Sequence, residues 1–150
     1  MNDLGPWFRA ELEDIRGTLA AVPALLADVP WREGGWTRKQ IVGHLLDSAM
    51  NNRHRFVFAS IEGSYNGPQY GQDTWVAAHG YAGQPWPTLL AWWRAEHEIL
   101  AAVVERISAE RLEAICVVGG EPPVTLRFLI EDYIAHQRWH LKQIAEGRTA

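Results

Sequence analysis

His136 and His140 stand one helical turn apart in the string HQRWH. On a helix turning about 100° per residue, their side chains leave the same face about 40° apart, close enough to share one metal ion. Leu129, Tyr133 and Ile144 fall in the same arc, whereas Arg127, Glu131, Arg138 and Lys142 gather on the opposite side. The charged arc marks solvent, so the histidine pair points inward. The spacing alone also suits two partly buried structural histidines. A metal site therefore needs a further ligand from another element.

An earlier helical stretch offers one. His44, Asp47, Ser48, Asn51 and Arg55 fall within about 60° on its wheel, with Leu45, Leu46, Ala49, Phe56 and Val57 on the other side. Two readings stand at this point. The polar stripe is either the solvated face of an amphipathic helix, or a set of inward groups in which His44 meets the histidine pair. Three protein ligands would leave an open coordination position, the mark of sites that act on a bound water or substrate. His54 and His79, and His97 between Glu96 and Glu98, are expected at the surface. Cys116 has no disulfide partner and is expected to be an inert core residue.

The elements that must position these groups are helical. A first helix is expected from Pro6, with Phe8, Leu12, Ile15, Leu19 and Val22 at spacings of three and four, until Pro23 bends or ends it. Thr37 and Gln40 form a T-x-x-Q capping box opening a second helix from Arg38 to about Ile61, with Trp36 placed to pack on Ile41. Gly43 is out of place in such a helix and points to close packing. Residues 62–87 are rich in Gly, Pro, Tyr, Asn and Gln, and only the Trp-Val-Ala-Ala run looks regular. A connection this long is usually functional or disordered. Its Tyr65, Tyr70, Trp75 and Tyr81 suggest a structured cover over one end of a bundle. A third long helix follows from about Thr88 to Ile107, then a short turn at 108–111, a hairpin or loop near Cys116, and a closing helix from about Thr125 to Glu146. The expected fold is all-α: a four-helix bundle with a long loop between its second and third helices, formed by one domain over residues 1–150. A connection of that length could run those two helices parallel.

The chain is 47% hydrophobic and 21% charged, with net charge −4 and no basic run, so nucleic acid is an unsuitable partner. No stretch reaches the ~20 apolar residues of a membrane span, and the acidic, polar N-terminus does not read as a signal peptide. The expectation is a cytoplasmic protein without membrane contact. The eight tryptophans are expected mainly in core packing.

The string GGWTRKQIVGHLLDSAMNNRHRF resembles the second-helix motif of the DinB-like superfamily, most closely its YfiT-like branch of metal-dependent hydrolases, in GGWT, the histidine, and the Asp-Ser, Met-Asn and Arg-Phe pairs. HQRWHLKQI resembles the closing helix of the same family. The resemblance implies a four-helix bundle with two parallel central helices, a three-histidine site for nickel, zinc or a similar ion, and a homodimer. Carried over by position, the ligands fall on His44, His136 and His140. Asp47, Asn51 and Arg55 match polar positions beside that site. Gln137 and Trp139 stand where relatives can carry further histidines.

Three functions fit these residues. One is hydrolysis of a small molecule by a water whose pKa the cation lowers, with Asp47 accepting a proton or steadying a ligand histidine, and Asn51 and Arg55 orienting a polar or anionic substrate. Another, implied by relatives, is transfer of a low-molecular-weight thiol. The third is non-enzymatic binding of a small ligand under the aromatic segment.

Overall fold

The computed structural model describes residues 2–150. Helix α1 spans Leu4–Ala20, and its Leu4, Phe8, Leu12, Ile15 and Leu19 form the buried stripe expected from their spacing. Asn2 ties its start to the neighbouring helix end: the Asn2 amide donates to the carbonyls of Val104 and Ile107, and its Oδ1 accepts from the Gly5 amide at 2.8 Å. Helix α2 spans Arg38–Glu62, opened by the Thr37–Gln40 capping box and closed by Gly63 at φ +81°, a left-handed cap that glycine adopts without strain. Helix α4 (Trp86–Arg106) and helix α5 (Leu126–Glu146) complete the bundle.

The helix directions follow from side-chain pairs. Arg127 pairs with Asp3, and Arg138 with Glu11 and Asp14, so α1 and α5 run the same way. Arg38 meets the end of α5 at Ile144, while His44 meets His136, so α2 runs against α5. Trp93 with Gln137 and His97 with Tyr133 set α4 against α5 in the same sense. Helices α2 and α4 are therefore parallel. The chain must travel back along the bundle between them, and the long connection makes that return.

The connection is more ordered than its composition suggests. It holds strand β1 (Ser64–Gly67), helix α3 (Gln72–His79) and a 3-10 turn at Tyr81–Gly83. Strand β1 pairs in parallel with β2 (Ile115–Val118), and β2 pairs antiparallel with the two-residue β3 (Val124–Thr125) that leads into α5. Of the hairpin or loop expected near Cys116, the hairpin is present, joined by a third strand, β1, from before α4. Thr125 caps α5, its Oγ1 accepting from the Phe128 amide. This small sheet binds the start of the connection to the start of α5. Of the four expected anchors, Tyr65 in β1 and Tyr81 against α2 are buried, while Tyr70 and Trp75 are half-buried.

Two buried polar arrangements fix how α5 sits. The fully buried Arg38 guanidinium donates to the carbonyls of Ile144, Val29 and Arg148, satisfying a cation with backbone dipoles at the end of α5. Nearer the middle, Trp93 Nε1 donates to Gln137 Oε1, Gln137 Nε2 to the Tyr133 hydroxyl, and the hydroxyl to His97 Nε2. His97 Nδ1–H completes the circuit at the Trp93 carbonyl, 2.7 Å away. A carbonyl accepts only, which fixes the His97 tautomer and the direction of every bond in the ring. His97 is thus a core residue and not the surface group expected from its flanking glutamates. It stacks on the Trp93 ring at 4.0 Å, and burial lowers its pKa to about 4, so it stays neutral.

Candidate metal centre

The three histidines meet between α2 and α5. One ring nitrogen from each of His44, His136 and His140 lies within 4.8 Å of the others, and the His44 and His136 Nε2 atoms are 3.2 Å apart. The capping box sets where α2 begins and hence the face that His44 presents. The Arg38 clamp and the Gln137 ring set the rotation of α5. His44 and His140 are buried and His136 is half-buried. The polar stripe of α2 is consequently not a solvated face: Asp47 is 0% exposed, His44 1%, Ser48 3% and Arg55 8%.

The electrostatics favour neutral imidazoles. Burial, then the charges that His140 and His136 would carry, lowers the His44 pKa to about 3. Burial, with His140 adding, lowers His136 to about 4, and burial lowers His140 against a partial restoring bond from Gln143. Lone pairs are thus free for a cation at neutral pH. His140 is already oriented: its Nδ1–H donates to Gln143 Oε1 at 2.8 Å, leaving Nε2 as the ligand atom.

His44 supplies the test of fit. Its Nδ1 is buried with no hydrogen-bond partner, and the other such buried atom among the described residues is Asp47 Oδ2, three residues along the same helix. An imidazole giving its Nε2 lone pair to a cation carries its proton on Nδ1, and that proton requires an acceptor. An unpaired carboxylate oxygen one turn away is that acceptor in kind. The donor set therefore fits a divalent metal ion that takes imidazole ligands.

Around this centre, Trp36 lies over the rings of His44 and His140, at 5.1 and 6.4 Å, and Trp139 meets His140 edge-on at 4.9 Å. Asp47 does not stand alone. Its Oδ1 accepts from the Tyr81 hydroxyl at 2.7 Å and lies 2.9 Å from His79 Nδ1, both carried by the return connection. Tyr81 reaches it by lying flat against Gly43, where an added Cβ would come within 2.1 Å of the ring. Burial raises the Asp47 pKa, opposed by Tyr81 and His79.

A cavity of about 860 Å³ opens beside the histidines. His44 and His136 form one side of it, Ser48, Asn52 and Arg55 continue along α2, and Tyr70 and Thr74 come from the connection. Val118, Val124, Phe128 and Leu129 supply its apolar wall. Of the polar positions marked in sequence, Arg55 reaches the cavity, Asp47 lies behind it, and Asn51 turns its amide back to the Asp47 carbonyl. Asn52 takes the lining position, its amide held by the Ser48 carbonyl and hydroxyl. Tyr70, Tyr81 and His79 had no periodic signal to announce them, because their placement depends on the path of the connection.

Among the described residues no helix is long and apolar enough to cross a membrane. A protein of Geobacillus thermodenitrificans, named "Putative metal-dependent hydrolase", is 27% identical over 151 residues, covering 98% of this chain and 85% of its own. A relative of the same kind from Bacillus mycoides is 38% identical over a shorter stretch of 70 residues, 44% of this chain and 40% of that one. The solved structure of YfiT from Bacillus subtilis, described as having an unusual four-helix bundle topology, superposes with a TM-score of 0.85 at 22% identity, over 97% of this chain and 86% of that one. The DinB superfamily model matches residues 8–144, and with the bundle and its three histidines in place the chain belongs to that superfamily.

Proposed function

We propose that His44, His136 and His140 hold one nickel or zinc ion and that the protein is a metal-dependent hydrolase of a small molecule. The observation that carries this reading is the convergence of three neutral imidazoles at the side of a cavity large enough for a small molecule, which leaves room for a fourth ligand. The relatives named as metal-dependent hydrolases support it. When bound, the ion supplies Lewis-acid polarisation and lowers the pKa of a water beside it toward neutrality.

The protein's own groups then have separable tasks. Gln143 holds the His140 tautomer, and Asp47, its carboxylate fixed by Tyr81 and His79, would accept from His44 Nδ1–H when the ion is bound. Trp36 packs against the His44 and His140 rings and Trp139 against His140, which limits how far the imidazoles can turn. Tyr70 keeps its phenolic proton, since burial and the Asp47 charge raise its pKa against the pull of Ser48 and Arg55. It serves as a donor to substrate in the cavity.

Metal analysis of protein purified without chelator tests the reading. About one nickel or zinc per chain is expected, falling to background in His44→Ala and His136→Ala. Full metal content in His44→Ala would refute the triad. Turnover only in the presence of a small thiol would replace hydrolysis with thiol transfer.

A further inference from the structure

Arg55 is a buried cation without a counter-charge. Its residue is 8% exposed, it forms no ion pair with any described residue, and one Nη donates to the Pro68 carbonyl at 3.3 Å. A guanidinium has five N–H donors, so most of its capacity is unused. Arg38 differs: its guanidinium is fully buried and is matched to three carbonyls at 2.7 to 3.2 Å. None of its unpartnered nitrogens is sealed in protein, so they are free to meet a ligand. Arg55 lines the cavity, and it is the only lysine or arginine among the described residues that does so.

We propose that Arg55 anchors a carboxylate of the ligand, so that the molecule lies along α2 with its reacting end at the three histidines. The orientation rests on the function proposed above; the anchor itself does not. Arg55 is three turns beyond His44 on the same face of α2, a rise of about 16 Å between their backbones. Helical side chains lean toward the N-terminus, and the long arginine leans further than the histidine, which brings the guanidinium back toward the imidazoles. Ser48 and Asn52 sit between them. Tyr70, beside Ser48, offers a second donor. A guanidinium pairs with a carboxylate through two parallel N–H bonds. The mouth argues against a multiply charged anion: Asp73, Glu121 and Asp132 line it and are exposed, so a phosphate dianion meets three negative charges against one positive. The apolar wall of Val118, Val124, Phe128 and Leu129 suits a hydrocarbon middle.

The test uses 4-phenylbutyrate and its neutral partner 4-phenylbutanamide, titrated into the metal-loaded protein at millimolar concentration by isothermal calorimetry or ligand-observed NMR. The acid should bind at least about tenfold more tightly than the amide, the worth of one charge-assisted pair. Arg55→Met should abolish that preference and Arg55→Lys should keep part of it, with circular dichroism confirming both folds. The acid–amide comparison in the unaltered protein stands even where Arg55→Met fails to fold. Equal binding of acid and amide, or an undiminished preference in folded Arg55→Met, overturns the anchor. Competition by inorganic phosphate as strong as that of the acid overturns the choice of carboxylate. An acid preference in protein that holds no metal upholds the anchor while removing the metal reading.

Discussion

Replacing Gly43 with alanine sets two effects of opposite sign against each other. Within α2 the substitution should stabilise the helix by about 1 kcal/mol, the ordinary difference between glycine and alanine in a helix interior. The new Cβ, however, falls 2.1 and 2.2 Å from two atoms of the Tyr81 ring, so the ring must move by more than an ångström. Overpacking of this kind costs about 1–3 kcal/mol. Displacement also breaks the Tyr81–Asp47 hydrogen bond, and a bond to a buried carboxylate is worth about 1.5–3 kcal/mol. The losses exceed the gain, and Gly43→Ala should destabilise the protein by roughly 3 kcal/mol in urea unfolding. In a Tyr81→Ala background there is no ring to displace. The same substitution should then stabilise by about 1 kcal/mol, reversing its sign. A stabilising Gly43→Ala in the unaltered chain, or the same loss in both backgrounds, would refute the packing argument.

Other perturbations isolate single contacts. His97 is neutral in the fold with a pKa of about 4, against an ordinary value of 6.5, so its contribution is complete above pH 6.5 and is lost as pH falls toward 4, by about 3 kcal/mol in all. His97→Phe should be less stable at pH 7, because the Tyr133 hydroxyl loses its acceptor, and the gap to the unaltered protein should close on acidification; parallel pH profiles would sink this account. Arg38→Met strips three carbonyls of their donor and should cost about 2–4 kcal/mol while making residues 147–150 accessible to carboxypeptidase. An unchanged digestion rate would show that the tail is held by other means. Gln143→Leu removes the acceptor of His140 Nδ1–H and should weaken metal binding about 10- to 100-fold in a chelator competition, with the unfolding midpoint of the metal-free protein little altered; unchanged affinity would remove Gln143 from the site.

What the sequence made legible was whatever is encoded locally. Thr37 and Gln40 announced the start of α2, and the opposed charged and apolar arcs of α5 placed His136 and His140 inward, as found. The α2 wheel could not choose between solvent and interior, because a stripe of His44, Asp47, Ser48 and Arg55 is equally polar in both settings. The neighbours that bury it come from α5 and the connection. His97 misled through Glu96 and Glu98, yet it lies on the same arc as Trp93, Leu100 and Val104, a signal present in the periodicity. Strand β1 was illegible for a different reason: its partner β2 lies on the far side of α4, and four residues containing Gly67 and Asn66 carry no strand pattern of their own.

The parallel course of α2 and α4 has a consequence for how ligand choice can vary within this architecture. Helix α2 is 25 residues long, about 37 Å, and the return journey is an obligation of topology that some stretch of chain must fulfil. Here the returning stretch also furnishes Tyr70, Thr74 and neighbouring cavity residues, while the imidazoles reside on α2 and α5. Part of the cavity lining is thereby carried by a stretch of chain that holds none of the three imidazoles. Exchange of residues 68–74 between relatives becomes a route to altered selectivity that leaves the metal ligands in place.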